Sequence, residues 1–402
     1  MANELAGFEL VCESFVDLRP WAARPSRRTA VELLLGGGVA ALTGWKVWTR
    51  TGNRRGDVSI PIRRVPVEVV SYFPPARCTL SRDAEVRIAE KLRMREDMSY
   101  SDILHWLRVF AGQGSTRCPA GQVEQVLGEF TDSVRLGRRF GAPSALVRTP
   151  HGARYLTAPA SAPAESRRAR ALHAYQTPAV FGEIGVASDL AIGVGGTTGS
   201  VAELVSDCLL NFQLREVSEF EPEWATTVLA LYLPPVDSWE NRWGEWVTFD
   251  SMASFLVERD IGRFACQGTH LLSALGLLLQ VNQRFSLLSR SVARKVADVC
   301  RRLSQTTLPD HLQADGSWGG DWTGDAPHVA VKPWHAVHIT GHIMECQILL
   351  RPEHQAPAYC LERALRFLVQ AMNEVTSSDV ARAYCPYSHA GRVLLRRRYA
   401  HA

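Results

Sequence analysis

The chain has 402 residues, 46% of them hydrophobic, and its formal net charge is only +4. A chain of this length and composition can bury a large core, which excludes global disorder. The small net charge, without a basic stripe interleaved with aromatic residues, argues against nucleic-acid binding. The 9 cysteines are scattered and form no CxxC pair. This pattern excludes both a disulfide framework and a zinc ribbon.

Residues 1–48 have the features of an export signal or a membrane anchor. Arg27 and Arg28 precede the uncharged run LLLGGGVAALTGW at positions 33–45. The run is short for a membrane span but suits the apolar region of a signal peptide, and the paired arginines resemble a twin-arginine signal. We therefore expect an exported or membrane-anchored protein facing the periplasm or cell exterior. The alternative is a cytoplasmic protein in which this run is an ordinary packing helix.

A tether and a helical domain are expected to follow. Residues 49–80 are predicted to be the tether, because Ile60-Pro61-Ile62 cannot enter a helix. From 81 to 402 the apolar residues recur mainly at helical spacing, and Ser81 is of the residue type that caps helix starts. The sequence therefore predicts a mostly α domain over residues 81–402.

One small β hairpin is expected to interrupt the helices. Residues 145–157 alternate in polarity around Pro150-His151-Gly152, which is typical of two short strands and a tight turn. Residues 157–170 are small, Pro-rich and charged, so they are predicted to be a linker or a surface loop. Gly193–Gly199 lacks the lysine of a P-loop and is predicted to be a flexible connection.

Four predicted helices carry a histidine near their start, followed by an apolar run. These histidines are His105, His173, His270 and His342. Each interval between them could hold an outer helix, an inner helix and a loop. Repeat architectures follow this logic, because each helix pair needs its neighbour to bury its apolar face. The pattern favours stacked helices around a central pocket.

The segment Gln313–Trp318, with sequence QADGSW, carries a family resemblance. Its Q-x-x-G-x-W spacing resembles the QW motif of squalene and oxidosqualene cyclases, and similar turns recur in prenyltransferase-like proteins. The resemblance implies an α/α toroid, a barrel of helical hairpins, in which the glutamine caps a helix end and the tryptophan packs across it. The residues support such a turn by themselves, since Gly316 permits a tight bend and Trp318 offers a large surface to bury.

The chain lacks the acidic motifs of the catalytic members of these families. Two adjacent aspartates occur nowhere, which removes both D-x-D-D and D-D-x-x-D and disfavours terpene cyclisation. Asp298 and Cys300 have the spacing of the zinc ligands in protein prenyltransferases. However, Asp298 lies i,i+4 from Arg294 and Arg302 on an amphipathic helix, so a solvated salt-bridged face explains it without metal.

Two helical segments offer metal-ligating side chains on one face. Cys266 and His270 are separated by four residues, and His338, His342 and Glu345 share a second helix face. Imidazoles and thiolates are zinc ligands, so Cys266, His270, His338 and His342 form a candidate metal set, with zinc as its ion. The alternative is that the histidines cap helix starts or bond to Glu345.

A candidate catalytic set comprises His270, His342, Glu345 and Asp321. Asp321 lies in the loop between the two helices and is expected to face the histidines as an acid partner, together with Asp325 as a second option. The alternative is that Asp315 and Asp321 only shape glycine-rich turns.

Two hypotheses about function follow. The first is an envelope-associated enzyme whose polar, histidine-containing pocket acts on a glycan or an isoprenoid-like ligand. The second is a non-catalytic binding or scaffold domain for a small molecule, glycan, lipid or protein. Both include membrane contact through the N-terminal segment, and neither specifies an oligomeric state.

Overall fold

The computed structural model describes residues 60–73, 80–111, 121–159, 161–215, 221–324 and 333–396. The predicted signal or anchor at 1–48 and much of the predicted tether at 49–80 lie outside these residues. All elements named below belong to one compact unit, which includes the described residues from Pro61 onwards.

The described residues are mostly helical, as the hydrophobic periodicity predicted. Within them, no helix has both the length and the hydropathy needed to cross a membrane. A π-helical turn at Leu303–Thr307 joins α11 to α12. The helices are α1 (Arg82–Lys91), α2 (Tyr100–Phe110), α3 (Gln122–Phe130), α4 (Ser133–Phe140), α5 (Ala164–Arg168), α6 (Gln176–Glu183), α7 (Val201–Asn211), α8 (Pro222–Tyr232), α9 (Phe249–Val257), α10 (Thr269–Phe285), α11 (Arg290–Arg302), α12 (Leu308–Asp310), α13 (Pro333–Leu349), α14 (Ala358–Glu374), α15 (Ser377–Arg382) and α16 (Tyr384–Arg396).

Three short antiparallel pairs accompany the helices in the described residues. They are β1 (Leu146–Thr149) with β2 (Gly152–Tyr155), β3 (Ala191–Val194) with β4 (Thr197–Ser200), and β5 (Trp239–Glu240) with β6 (Trp246–Val247). The first pair is the predicted hairpin. The second corrects the expectation of a flexible connection at Gly193–Gly199. Gly195 and Gly196 have φ of 58° and 81°, the backbone that a two-residue hairpin turn requires.

Side chains at the helix starts explain where several helices begin. Ser81 Oγ accepts a hydrogen bond from the Ala84 amide at 3.2 Å, so the predicted N-cap of α1 is present. The stretch 122–140, which reads as one amphipathic run, is divided into α3 and α4. Asp132 caps α4 by accepting from the amides of Val134 and Arg135. A capping aspartate competes with helix continuation, which is why the run breaks there.

Six helices meet one another in a definite order. α2 contacts α6, α6 contacts α8, α8 contacts α10, α10 contacts α13, α13 contacts α16, and α16 contacts α2 again. A second set packs against them: α7 on α6 and α8, α9 on α8 and α10, α11 on α10, and α14 on α13 and α16. Helices of the first set therefore have neighbours on several sides. This explains why α8 and α13 are buried along most of their length.

The loop that contains the QW-like motif joins three helices. Trp318 is fully buried and donates from Nε1 to the Leu308 carbonyl at 2.8 Å, while its backbone amide donates to Thr340 Oγ1 of α13 at 2.9 Å. Gly316 has φ of 93°, and an added Cβ would lie 2.7 Å from the Arg363 carbonyl of α14. Gln313 Oε1 accepts from Ser317 Oγ at 3.1 Å within the turn. The tryptophan thus holds the helix end, whereas the glutamine side chain bonds inside the loop.

Candidate functional site

Half of the histidines of the chain lie buried in one cluster between the six helices that meet in order. The cluster contains six of the 12 histidines, none more than 9% exposed. Its members are His105, His173, His270, His338, His342 and His389. Such a concentration of buried polar rings requires partners, because an unpaired polar group away from water is destabilising.

Five of these rings form a continuous row. The ring centroids are 4.9 Å apart for His173 and His270, 5.2 Å for His270 and His342, 3.5 Å for His342 and His389, and 4.9 Å for His389 and His105. The sixth ring, His338, lies 4.7 Å from His342. A cysteine stands at each end of the row, Cys266 beside His173 and Cys385 beside His105.

The first end is built around Cys385 in α16. Its Sγ lies 3.5 Å from Nε2 of His105, 3.7 Å from Nε2 of His389 and 3.8 Å from Nε2 of His338. Cys385 and His389 are one helical turn apart on α16, while His105 comes from α2 and His338 from α13. Three helices therefore direct imidazole nitrogens at one buried thiol.

The other ring nitrogens at this end are bonded to acceptors. Nδ1 of His105 donates to the Ser101 carbonyl at 2.8 Å, and Nδ1 of His389 donates to Glu345 Oε2 at 3.0 Å. A carbonyl or carboxylate oxygen accepts but cannot donate, so each neutral ring carries its proton on Nδ1. The Nε2 lone pairs of both rings therefore face Cys385. Metal-ligating histidines are commonly oriented in this way.

The second end is built around Cys266, just before α10. His173 forms a side-chain hydrogen bond with Cys266, and its Nδ1 bonds to Glu221 Oε1 at 2.7 Å. His270 packs its ring against His173. Glu221 occupies the N-cap position of α8, so a carboxylate again fixes the imidazole beside a cysteine.

The backbone at Cys266 differs from a regular helix. Cys266 and Gln267 have φ of 49° and 55°, and Gly268 follows with φ of 82°. Non-glycine residues in this left-handed region cost about 1–3 kcal/mol each and persist where surrounding contacts impose them. Those contacts include Trp322 Nε1 donating to the Gln267 carbonyl at 2.9 Å and Thr269 Oγ1 donating to the Cys266 carbonyl at 2.9 Å.

A buried ion network lies beside the row. Arg108 and Arg392 alternate with Glu183 and Glu345, and all four side chains are 5% exposed. The nitrogen–oxygen distances are 3.1 and 3.5 Å from Arg108 and 2.6 and 3.4 Å from Arg392. Burial opposes ionisation of Glu183, but the two arginines lower its pKa. Two charges of each sign cancel, which lets the group remain buried.

A small cavity, about the size of one water molecule, is lined both by residues of the network and by histidines of the row. Arg108, Glu345, His270 and His342 are among its lining residues, and so is Trp224 of α8. Among the described residues, Nδ1 of His270, Nε2 of His342, Oε1 of Glu345 and Nε1 of Trp224 have no hydrogen-bond partner. Native structures rarely leave buried polar atoms unpaired, so such a set marks a place for a bound polar group.

Burial keeps most of the row neutral. Burial and nearby positive groups lower the pKa of His105 to about 4 and that of His338 to about 3. The same causes place the pKa values of His270, His342 and His389 well below the ordinary range. Neutral imidazole is the form that binds metal ions.

His173 behaves in the opposite way. Burial alone would lower its pKa, but the adjoining Glu221 carboxylate and Cys266 raise it well above the ordinary range. Burial and the Glu221 carboxylate also raise the pKa of Glu223 to about 8.

The predicted metal set is distributed over two groupings. The first grouping consists of Cys266, His338 and His342, and the second of Cys266, His270 and His173. Within each grouping, one ligand atom per residue lies within 4.8 Å of the others. Two further groupings with three such atoms involve His389: it joins His105 with Cys385, and His342 with Glu345. Several sets of described residues can therefore hold a metal ion.

The predicted catalytic residues are also brought together only in part. His270, His342 and Glu345 line the cavity. Asp321 is 7% exposed, and its carbonyl accepts from the Gly324 amide in the loop before α13. It is not among the residues that line the cavity, and Asp325 lies outside the described residues.

Asp298 and Cys300, the alternative zinc pair, lie on α11 away from the row. Asp298 is exposed and pairs with Arg301 at 2.8 Å, one position from the predicted Arg302. Cys300 is fully buried. Neither belongs to a described grouping of metal-ligating side chains.

Sequence reasoning overlooked Cys385 and His389, although a signal was present. The chain contains the spacing C-x-x-x-H at Cys266–His270 and again at Cys385–His389. Only the first was singled out, because an apolar helical run follows it. The partnership of His173 with Glu221 had no local signal, since 48 residues separate them.

Comparison with known proteins does not assign a function to this site. No protein-family model matches the chain, and no curated protein and no solved structure matches it.

Proposed function

We propose that this chain is an α/α-toroid protein that binds a transition-metal ion, zinc by preference, through Cys385, His105 and His389. The observation that carries the proposal is the convergence of two Nε2 lone pairs on one buried thiol, with each Nδ1 already bonded to an acceptor. A hydrogen-bonding role alone needs only one such ring.

The spacing of the donor atoms supports a tetrahedral site. Zinc bonds of about 2.3 Å to sulfur and about 2.0 Å to nitrogen place these atoms about 3.5 Å apart at the tetrahedral angle. The distances from Cys385 Sγ are 3.5 Å to His105 and 3.7 Å to His389. An ion between them would displace the thiol proton and leave the ligand skeleton nearly unchanged.

Three protein ligands leave a fourth position, as catalytic zinc sites do. Nε2 of His338, 3.8 Å from the same sulfur, borders that position. An ion there would polarise a bound carbonyl or lower the pKa of a bound water. Glu345 would act through His389, by fixing its ring and raising its basicity.

The donor types define the class of ion. Thiolate and imidazole favour zinc and its neighbours in the transition series, whereas calcium and magnesium require several oxygen ligands. Because burial keeps His105 neutral, protons do not compete for its Nε2 at neutral pH. The cavity beside the row, which is lined by none of the three proposed ligands, has room for about one water molecule and so fits a small polar group better than a glycan chain or an isoprenoid.

The order of helix contacts supports the toroid. The sequence of contacts from α2 through α6, α8, α10, α13 and α16 returns to α2, and a second set of helices packs against the first. Polar side chains on this closed set meet at one place: His105 on α2, Glu183 on α6, Trp224 on α8, His270 on α10 and His342 on α13. In a barrel of helical hairpins, a shared inner face produces this convergence.

Metal analysis of the purified full-length protein tests the proposal. Plasma mass spectrometry should find one zinc-type ion per chain in the wild type and in two controls, Cys300→Ala and His311→Asn, which alter residues outside the cluster. Cys385→Ala and His389→Asn should lose it. Cobalt loading adds a second measurement, because a thiolate-to-cobalt absorption band should form in the wild type and disappear in Cys385→Ala.

Two results would overturn the proposal. One is a wild-type protein without metal that also fails to bind added zinc or cobalt. The other is a Cys385→Ala protein that keeps the full metal content and the cobalt band. Circular dichroism of each variant separates loss of the ion from loss of the fold.

A further inference from the structure

The Cys266 end of the row has three features that a structural metal site does not need. Cys266 is partly exposed, whereas Cys385 is buried. Its backbone is left-handed, so its side chain is not carried by a regular helix. It also lies three residues before the start of α10, a helix of 17 residues.

The partners of Cys266 have the order of a nucleophile, a base and a positioning group. Cys266 bonds to the His173 ring, and Nδ1 of that ring bonds to Glu221 at 2.7 Å. A carboxylate on Nδ1 holds the imidazole in the tautomer whose Nε2 can take a proton from the thiol. Residues from three separate parts of the chain meet here, so local sequence does not explain the arrangement.

Buried atoms without partners support a ligand at this end. Oε1 of Gln267, Oε2 of Glu221 and Nε1 of Trp224 have no hydrogen-bond partner among the described residues. Gln267 is the residue after Cys266, and the Trp224 ring lies 6.3 Å from that of His173. The Gln267 side chain faces Gly320 and His335, whereas Glu221 and Trp224 lie beside the His173 ring, where their unpaired atoms would orient a polar substrate.

We propose that Cys266 is the nucleophile of an acyl-transfer site, with His173 as its general base and Glu221 as the residue that positions His173. The substrate class is an ester or thioester with an accessible carbonyl carbon. This inference assigns none of the three proposed metal ligands, Cys385, His105 and His389, although His338 lies close to both cysteines.

The chemical step balances with the groups present. Sγ of Cys266 forms a bond to the carbonyl carbon, and the thiol proton passes to Nε2 of His173. The bond from that carbon to the leaving oxygen or sulfur breaks, and the leaving group receives the proton from His173. The product is a thioester on Cys266, which water then hydrolyses to a carboxylic acid and the free thiol.

The surroundings of His173 agree with this role. Burial alone would lower the pKa of His173, but Glu221 and Cys266 raise it, which favours transfer of a proton to this ring. Glu223 provides a matched control, because it is a buried glutamate two residues from Glu221 whose Oε2 has no hydrogen-bond partner among the described residues.

The experiment uses p-nitrophenyl acetate with the full-length protein. Wild type should release a burst of p-nitrophenolate and gain one acetyl group, located on Cys266 by peptide mass spectrometry. Cys266→Ala should show no burst, and His173→Asn should slow acylation by about 100-fold or more. Glu221→Gln should slow it about 10-fold and change its pH profile, since the charge that holds His173 is lost. Glu223→Gln should stay within twofold of wild type.

The outcomes separate this inference from the metal site. Acetylation of another residue at the wild-type rate, or an unchanged burst in Cys266→Ala, would overturn it and leave the Cys385 site untouched. A metal content that falls in Cys266→Ser would also overturn it, by assigning Cys266 to an ion. Glu221→Asp keeps the carboxylate and should retain the wild-type pH profile, which tests the positioning role even where Glu221→Gln fails to fold. Where both variants fold, equal pH profiles would count against the positioning role.

Discussion

The two ends of the histidine row carry the same spacing, C-x-x-x-H, but differ in backbone. At Cys385 the spacing lies inside α16, so Cys385 and His389 share a helix face and their side chains meet. At Cys266 the chain is left-handed before α10 begins, and the residue that bonds the thiol is the distant His173. Both copies bring cysteine and histidine side chains close together, but only at Cys385 does a regular helix account for it.

The largest expected effect concerns the ion network that supports the Cys385 end. Glu183→Gln leaves Arg108 and Arg392 with one carboxylate, and breaking a buried pair costs about 3–5 kcal/mol. Chemical denaturation should measure that loss, and the metal dissociation constant should rise at least about 10-fold because Glu345 loses its support.

The exposed pair of Asp298 with Arg301 is the control, and Arg301→Ala should cost less than about 1 kcal/mol. If Glu183→Gln reduced Cys266 acylation more than metal binding, the assignment of the ion network to the Cys385 end would be contradicted.

Removal of the metal should distinguish the two cysteines. An ion bound at a thousand times its dissociation constant stabilises the fold by about 4 kcal/mol, so for a chain of this length a chelator should lower Tm by about 5 °C. Cys266→Ala should respond to the chelator as the wild type does, and Cys385→Ala should not respond. Differential scanning calorimetry with and without chelator makes this comparison, and equal responses of the two variants would contradict it.

A glycine substitution tests the left-handed segment at the Cys266 end. Gly268 and Gly121 both have φ near +80°, but only at Gly268 would an added Cβ clash with the Ile261 carbonyl. Gly121→Ala should cost about 1 kcal/mol from the backbone alone, whereas Gly268→Ala should cost about 2 kcal/mol or more and slow Cys266 acylation. Urea denaturation of both variants gives the difference, and equal costs would show that the segment adapts.

The smallest expected effect is a dependence of stability on pH in the metal-free protein. His105 has an unfolded pKa near 6.5 and a folded pKa of about 4, so between these values the unfolded chain binds more protons. The free energy of unfolding therefore falls as the pH falls, by about 1 kcal/mol from His105 between pH 7 and pH 5.5. His173 has the opposite sign, since its raised folded pKa gives stability that is complete below the unfolded value and lost as the pH rises. Urea midpoints of the wild type and His105→Asn should differ in slope over this range, and parallel slopes would contradict the assignment.

Local residue patterns determined the fold class and several element boundaries. Helical spacing predicted the mostly α structure, Ser81 predicted the start of α1, and Pro150-His151-Gly152 predicted the hairpin of β1 and β2. These features depend on interactions within a few residues, which a sequence displays directly. The stretch 122–140 has one amphipathic pattern, but the capping side chain of Asp132 divides it into α3 and α4.

The site was only partly visible in the sequence. Periodicity placed His338, His342 and Glu345 on one face of α13, and each is buried in the histidine cluster. Periodicity cannot say which helix that face meets, so the bond from Glu345 to His389 of α16 was not foreseen. Likewise, His105 meets Cys385 across 280 residues of chain. A pattern of apolar residues determines which face is buried, whereas the tertiary contacts decide which buried side chains become partners and hence which chemistry the site can perform.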